Sequence, residues 1–399
     1  MIKINNSMAR TFLLLKQGLI GEHRFKGKQG AFDYIKQAGC IQFDPVDVCG
    51  KNAELTLQSR VKDFRKEHLS DLLYTDRKLF DYPDKMLSII PTEYWPYFER
   101  FREAAREHLK SHPEIEKHIK KIRAHIKETG AICSSDIELE GSTAWWSSIN
   151  WSTGGNMLRS VLEQMYSSGD LIVHHKKGTR RFYDITERHI PGKLLNVPEP
   201  LPDDYTHQKW RVLRRIGAVG LIRNRPSHAF LGIRDLSIDI RKRIFSELLE
   251  EGSVSCLTIT GMKPDIKDRF YYQSKDEHLV KEVLNGFKPA PRCELIAPLD
   301  PFMWDRKLIE TIFGFQYTWE IYTPPGKRKY GAYVLPMIFG EDFIGRVEAI
   351  CERKSKSLIV KNIWYEEGIK RGKKIDNAVS ACLKRFALFN DCPNLVLPN

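Results

Sequence analysis

A chain of 399 residues with 42% hydrophobic and 11% aromatic content carries enough apolar material for several buried cores, which excludes a disordered tail and predicts roughly two to four domains. Lysine and arginine outnumber aspartate and glutamate by 64 to 51, a formal net charge of +13 spread along the chain, so a basic face assembled in three dimensions would suit a polyanionic partner. The eight cysteines form no CxxC pair and no histidines frame them at ligand spacing, so they read as reduced structural thiols, with no metal or other cofactor expected. The apolar stretch 11–15 lies between Arg10 and Lys16 and is far too short to span a bilayer; no membrane partner and a cytoplasmic location are expected.

In chain order, Ser7 is a candidate cap for a first helix with Met8, Phe12, Leu15 and Leu19 on one face, closed by Gly18 and Gly21. A second helix is expected over 28–38. After Gly39 the alternation in Cys40-Ile41-Gln42-Phe43-Asp44-Pro45-Val46 predicts a short extended segment that Pro45 ends or bends. A similar unit then occurs twice. The first copy has a helix over 114–127, a short helix capped by Ser134 and Ser135, and another helix with Leu158, Val161, Leu162 and Met165 on one face. It stops at Gly169, and strands 171–174 and 181–185 follow, joined by the basic turn Lys176-Lys177-Gly178-Thr179. The second has helices 209–219 and 238–249, a stop at Gly252 and strands 255–260 and 269–272. Both return strands begin Arg-Phe-Tyr, at Arg181 and Arg269, and the shared element order is that of a winged helix-turn-helix.

Pro191, Pro198, Pro200 and Pro202 with Asp203 and Asp204 make a linker between the copies. From Phe287 onward the strands expected at 316–322, 330–337, 343–349 and 358–364 form a small antiparallel sheet or barrel. A last amphipathic helix covers it with Ile375, Val379, Cys382, Leu383 and Phe386, leaving Lys373, Lys374 and Lys384 outside.

Wing residues of such domains sit on phosphates, which makes Lys176, Lys177, Arg180 and Arg181 candidate DNA contacts, with Lys263 and Lys267 in the second wing. A third basic turn, Lys327-Arg328-Lys329 after Pro324-Pro325, concentrates like charge that a phosphate would relieve. In an extended Gln42-Phe43-Asp44 the carboxamide and the carboxylate share a face while Phe43 points to the core, so the pair could hold and polarise one water.

The segments 39–46 and Asp300-Pro301-Phe302-Met303-Trp304-Asp305-Arg306 resemble those of the AlkZ/YcaQ-like family of winged-helix, interstrand-crosslink-unhooking DNA glycosylases. So do Phe313-Gly314-Phe315, the run 320–331, Val334-Leu335-Pro336, Trp145-Trp146 and 183–188. The resemblance implies an α+β chain of three tandem winged helix-turn-helix domains, at 1–100, 101–197 and 198–286, followed by a small C-terminal β-barrel-like domain with its helix at 287–399. It places the catalytic motif, Gln then an apolar residue then Gln or Asp, at Gln42 and Asp44, and a DNA-probing element at 327–329. Where a Trp and a His would be expected near the end of the first domain, the chain has Asp81-Tyr82-Pro83-Asp84-Lys85.

The activity so implied is that of a monofunctional glycosylase acting as a monomer on double-stranded DNA with alkylation damage, in base excision repair and associated with the nucleoid. An N7-alkylated purine already carries positive charge and departs neutral, so no general acid is needed. Asp44 would stabilise the oxocarbenium and deprotonate water while Gln42 orients it. Residues 39–48 contain no suitably placed amine, so hydrolysis without strand cleavage is expected. The alternative is a non-catalytic winged-helix DNA-binding regulator reading base edges through Arg159, Glu163 and Gln164. A nuclease would need a metal-binding carboxylate or histidine cluster, which the sequence does not display.

Overall fold

The computed structural model describes residues 1–136, 157–261 and 268–398. It is a mixed α+β protein in two compact units, one formed by Met1–Leu69, Tyr82–Ile89 and Gln208–Asn399, the other by Ser70–Asp81 and Ile90–His207. Trp145, Trp146, Lys263 and Lys267 lie outside the described residues.

In the first unit the opening helix, Asn6–Gln17, buries Phe12, Leu13 and Leu14, and ends at Gly18 in the left-handed conformation at φ 68°. Asn5, rather than Ser7, caps it: the Asn5 side chain accepts the Met8 N–H, whereas the Ser7 hydroxyl donates to Glu341. The second helix is Gly27–Ala38. An N-terminal strand, Ile2–Asn5, pairs in parallel with Val254–Thr260, whose other neighbour is the antiparallel Phe270–Gln273. The strand and return strand of the second repeat copy thus exist as expected, inside a four-stranded sheet completed by residues from the chain's beginning.

The C-terminal sheet has five strands in chain order, Cys293–Leu295, Val334–Phe339, Asp342–Glu352, Ser357–Tyr365 and Asn394–Val396. All pairs are antiparallel except the last, and register shifts after Met337 and Glu348 curl it. Its outer strands are separate edges, so it is a curled half-barrel and not a closed barrel. The helix Lys373–Phe389 covers it with Val379, Cys382, Leu383 and Phe386, leaving Lys373, Lys374 and Lys384 exposed. The strand expected at 316–322 is absent. Tyr317 and Glu320 are buried and Gln316 and Thr318 exposed, so the alternation reports burial of an extended run that no ladder pairs.

Contacts of two kinds bind the segment after the Gln42-Phe43-Asp44 motif to this sheet. Cys49 and Leu55 belong to the same apolar core as Leu335, Val347 and Phe386, and the Cys351 N–H donates to the Val48 carbonyl at 3.0 Å. Deeper in, Arg60 and Asp300 form a two-pronged pair, 2.8 Å on each prong, with neither side chain exposed. Arg60 also donates to the Gln17 carbonyl and lies over the Tyr34 ring, while Asp300 caps the Phe302 N–H.

The second unit contains the helices Glu99–Lys110, Glu116–Thr129 and Met157–Ser168, then the antiparallel hairpin of Leu171–Lys177 and Arg180–Ile185. Leu158, Val161, Leu162 and Met165 are fully buried. Ile132 bridges to Tyr183 and gives the hairpin a third strand position. The first helix, the Ile132 bridge, the next helix and the hairpin follow the order expected of the first repeat copy, while the short helix expected after Ser134 and Ser135 runs into residues outside those described.

Removing Asp300 leaves Arg60 charged in a dry site, so Asp300→Ala should lower the unfolding free energy by about 3–5 kcal/mol, whereas replacing both partners by apolar residues of similar volume should cost much less. Denaturant unfolding of the single and double variants measures the difference.

Candidate catalytic site

Strand Ile41–Gln42 pairs antiparallel with Met86–Pro91, placing Gln42 opposite Ser88, and the Phe43 N–H donates to the Leu87 carbonyl. The strand stops there because Pro45 has no N–H to continue a ladder. Gln42 is 8% exposed and Phe43 half-buried, so it is Gln42 and not Phe43 that is the more buried of the two. Asp44, half-buried beyond the strand, turns one carboxylate oxygen back onto the Val46 N–H at 2.9 Å. Burial pushes its carboxyl above the ordinary range, and the Val46 bond opposes this in part. Among the described residues no cation pairs with it.

Asn52 holds the motif from behind. Its amide donates to the Gln42 carbonyl and its oxygen accepts the Leu299 N–H, both at 2.9 Å, so one buried side chain ties the motif to the segment carrying Asp300 and Trp304. Arg353 grips Asp47 through 2.8 and 2.9 Å bonds.

The strand beside Gln42 brings in a group that the 39–48 segment lacks. Lys85 is 5% exposed, and its ammonium nitrogen lies 3.4 Å from Gln42 Oε1 and 5.0 Å from the Trp304 ring. Burial, with Arg215 and Arg306 nearby, brings its pKa down to about 8. Asp84 cannot neutralise it alone, being shared by three guanidiniums: Arg211 and Arg215 at 2.5 Å and Arg214 at 2.9 Å. These arginines also donate to the Gly232 and Gly39 carbonyls. Although desolvation opposes it, Arg215, Arg214 and Arg211 hold the Asp84 carboxyl well below its usual value.

The expected phosphate contacts separate into two kinds. Lys177 and Arg180 are exposed. Lys176 is not: its ammonium bonds Asp81 at 2.5 Å with only 9% of the side chain exposed, which corrects its place among open wing cations. Arg181 is half-buried, with a bond to Tyr183. In the first unit Lys327 and Lys329 are exposed and Arg328 half-buried, donating to the Thr323 carbonyl. Their turn is a single 3-10 turn at Pro325–Lys327, not a β-hairpin. The Glu320 carboxylate accepts the Lys329, Tyr330 and Gly331 N–H groups at 2.8, 2.9 and 3.2 Å and so fixes it.

A cluster of metal-ligating side chains, which the sequence did not display, forms in the second unit from His174, Asp184 and His189, whose ligand atoms lie within 4.8 Å of one another. His189 bonds Asp184 directly at 2.8 Å and Arg188 occupies the other carboxylate oxygen at 3.1 Å, so the group also satisfies itself. Lys85, Asn52 and Glu320 escaped sequence reasoning; the one available signal was the Asp84-Lys85 pair standing where the family pattern departs.

Two consequences can be measured. Asp44 binds its proton more tightly in the folded than in the unfolded chain, so ionising it costs stability as pH rises through the raised pKa, which lies above 3.8. Asp44→Asn should therefore keep or raise the melting temperature at neutral pH, with the difference fading in acid, while wild-type activity falls as pH drops through the same window. Gly232 has φ +88° and a Cβ there would lie 2.1 Å from the Asp84 carbonyl oxygen, so Gly232→Ala should lower both thermal stability and activity by displacing the Asp84-Lys85 turn.

A family model described as DNA glycosylase AlkZ-like matches residues 35–389. The solved structure of Streptomyces sahachiroi DNA glycosylase AlkZ is similar over 99% of this chain and 99% of its own, with a TM-score of 0.62 at 14% identity, a likeness of fold. With the family model covering most of the sequence and the fold matching along its length, this chain belongs to the AlkZ-like DNA glycosylase family and is a DNA glycosylase.

Proposed function

We propose that the protein hydrolyses the N-glycosidic bond of N7-alkylated purines in double-stranded DNA, including those that form interstrand crosslinks, with Asp44 and Gln42 at the reacting centre. The observation that carries this reading is Asp44 itself, a partly desolvated carboxylate that no cation among the described residues pairs with, two residues from a buried carboxamide. Because the alkylated base leaves neutral, one anion suffices to stabilise the oxocarbenium and take a proton from water. Lys85 donates to Gln42 Oε1, which leaves the Gln42 Nε2 hydrogens to hold the water or sugar oxygen. On Gln42 and Asp44 alone the product is an intact strand with an abasic site.

Lys327, Arg328 and Lys329 in one unit, and Lys177, Arg180 and Arg181 in the other, are proposed to neutralise phosphates, while Lys176 steadies its hairpin through Asp81. The three-winged-helix division at 1–100, 101–197 and 198–286, followed by 287–399, belongs to the same proposal, as do action as a monomer and association with the nucleoid. Among the described residues no helix is long and apolar enough to cross a membrane.

In EDTA, wild-type protein should convert duplex DNA carrying N7-alkylguanine to alkali-labile abasic sites, and Asp44→Asn should lose about 10²–10⁴-fold in rate while still binding DNA. Binding without abasic sites from the wild type, on monoadducts and crosslinks alike, would sink the proposal. Lys327→Ala with Lys329→Ala should weaken binding across all sequences and flatten the log–log salt dependence by about 2; an unchanged slope would remove that turn from the DNA surface.

A further inference from the structure

We infer that Lys85 is an amine nucleophile that attacks the abasic sugar left after base release, giving this enzyme a second, strand-cleaving lyase activity at the Gln42 site. The inference rests on the reading of Gln42 and Asp44 as the reacting centre.

Position comes first. Lys85 sits in the turn between Leu79–Asp84 and Met86–Pro91, and the latter strand is the hydrogen-bonded neighbour of the motif strand. Its ammonium nitrogen reaches the Gln42 side chain. The next residue, Met86, holds φ at 56° and is 54% exposed. A non-glycine residue in the left-handed region is strained and persists only where its surroundings enforce it. Here the Ser88 hydroxyl donates to the Lys85 carbonyl at 3.0 Å, and Asp84, immediately before it, is locked by three arginines. The turn is therefore held with Lys85 buried and its amine at Gln42, next in the chain to an exposed residue.

Environment comes second. Lys85 makes no salt bridge among the described residues. The groups around it are Gln42, the Trp304 ring, the Cys40 thiol, the Arg215 and Arg306 guanidiniums and the already saturated Asp84. A lysine serving only to balance charge would sit against a carboxylate. One desolvated next to other cations loses its proton more easily, which is how a lysine becomes a nucleophile at neutral pH; its pKa of about 8 agrees with this.

The chemistry balances without an added oxidant or metal. In the ring-opened abasic deoxyribose C1′ is an aldehyde. The Lys85 nitrogen lone pair adds to C1′, the carbinolamine hydroxyl leaves as water, and a protonated imine joins the two. C2′ then gives a proton to water, the C3′–O bond breaks, and the phosphate departs with that electron pair as the 5′-phosphate of the downstream strand. Hydrolysis of the imine returns the free amine and an unsaturated aldehyde on the upstream strand.

The test uses the full-length protein and duplex DNA with a preformed abasic site, so it does not depend on base release. Sodium borohydride reduces a protonated imine to a stable secondary amine. Wild-type protein should form a covalent adduct with this DNA, and mass spectrometry of the digested adduct should place the sugar on Lys85. Lys85→Gln, checked for folding by its melting transition, should trap at the level of a non-specific basic protein. No adduct above that background, or an adduct mapped to another lysine, overturns the inference; the mapping decides even if Lys85→Gln fails to fold. Failure of the glycosylase proposal reads out separately, as absence of abasic sites from N7-alkylguanine DNA.

Discussion

One carboxylate held by three guanidiniums organises the strands around Gln42. Asp84 is fully buried, and Arg211, Arg214 and Arg215 reach it from successive turns of the Asp204–Val219 helix. Burying so much charge is tolerable only because each planar fork is bonded again elsewhere. Arg211 serves the Gly232 and Asp84 carbonyls and Arg214 the Gly39 carbonyl. Gly39 is two residues before the motif strand and Asp84 one residue before Lys85, so a single helix face clamps both chain segments that meet at Gln42.

A second constraint places Asp44. After Pro45 the chain leaves the strand ladder, and residues 46–55 are fastened to the curled C-terminal sheet by the Val48 carbonyl, the Asp47–Arg353 pair and burial of Cys49 and Leu55. The carboxylate is thus fixed by contacts some 300 residues away in the chain. Its own bond to the Val46 N–H occupies only one oxygen. What results is a carboxylate that is costly for the fold, since burial disfavours its charge, and that cost is the kind expected at a working group rather than a structural one.

The basic surface divides by a similar logic. Lys176 shows that a cation in a hairpin can be spent on holding the hairpin together, while the Glu320 carboxylate, by accepting three successive N–H groups, leaves the side chains of Lys327 and Lys329 outward. Preorganising a basic turn from its backbone keeps its charges available for phosphate and reduces the ordering entropy that binding must overcome.

The sequence by itself determined the elements whose signals are local. Helical spacing gave the buried faces of the Met157–Ser168 and Lys373–Phe389 helices, the helix expected over 28–38 is Gly27–Ala38, and period-two alternation gave three of the four C-terminal strands expected from it. Resemblance, carried by the motif and the 300–306 and 320–331 segments, gave the family. Tertiary structure alone decided the rest, because it depends on pairing between residues far apart. The alternation at 316–322 reported burial but could not report a missing partner strand. Charge at Lys176 was visible, but its proximity to Asp81, 95 residues away, was not. Lys85 lies 43 residues from Gln42, and no periodicity or spacing encodes which strand will lie beside a given one; the burial that sets an amine's proton affinity exists only once those strands have met.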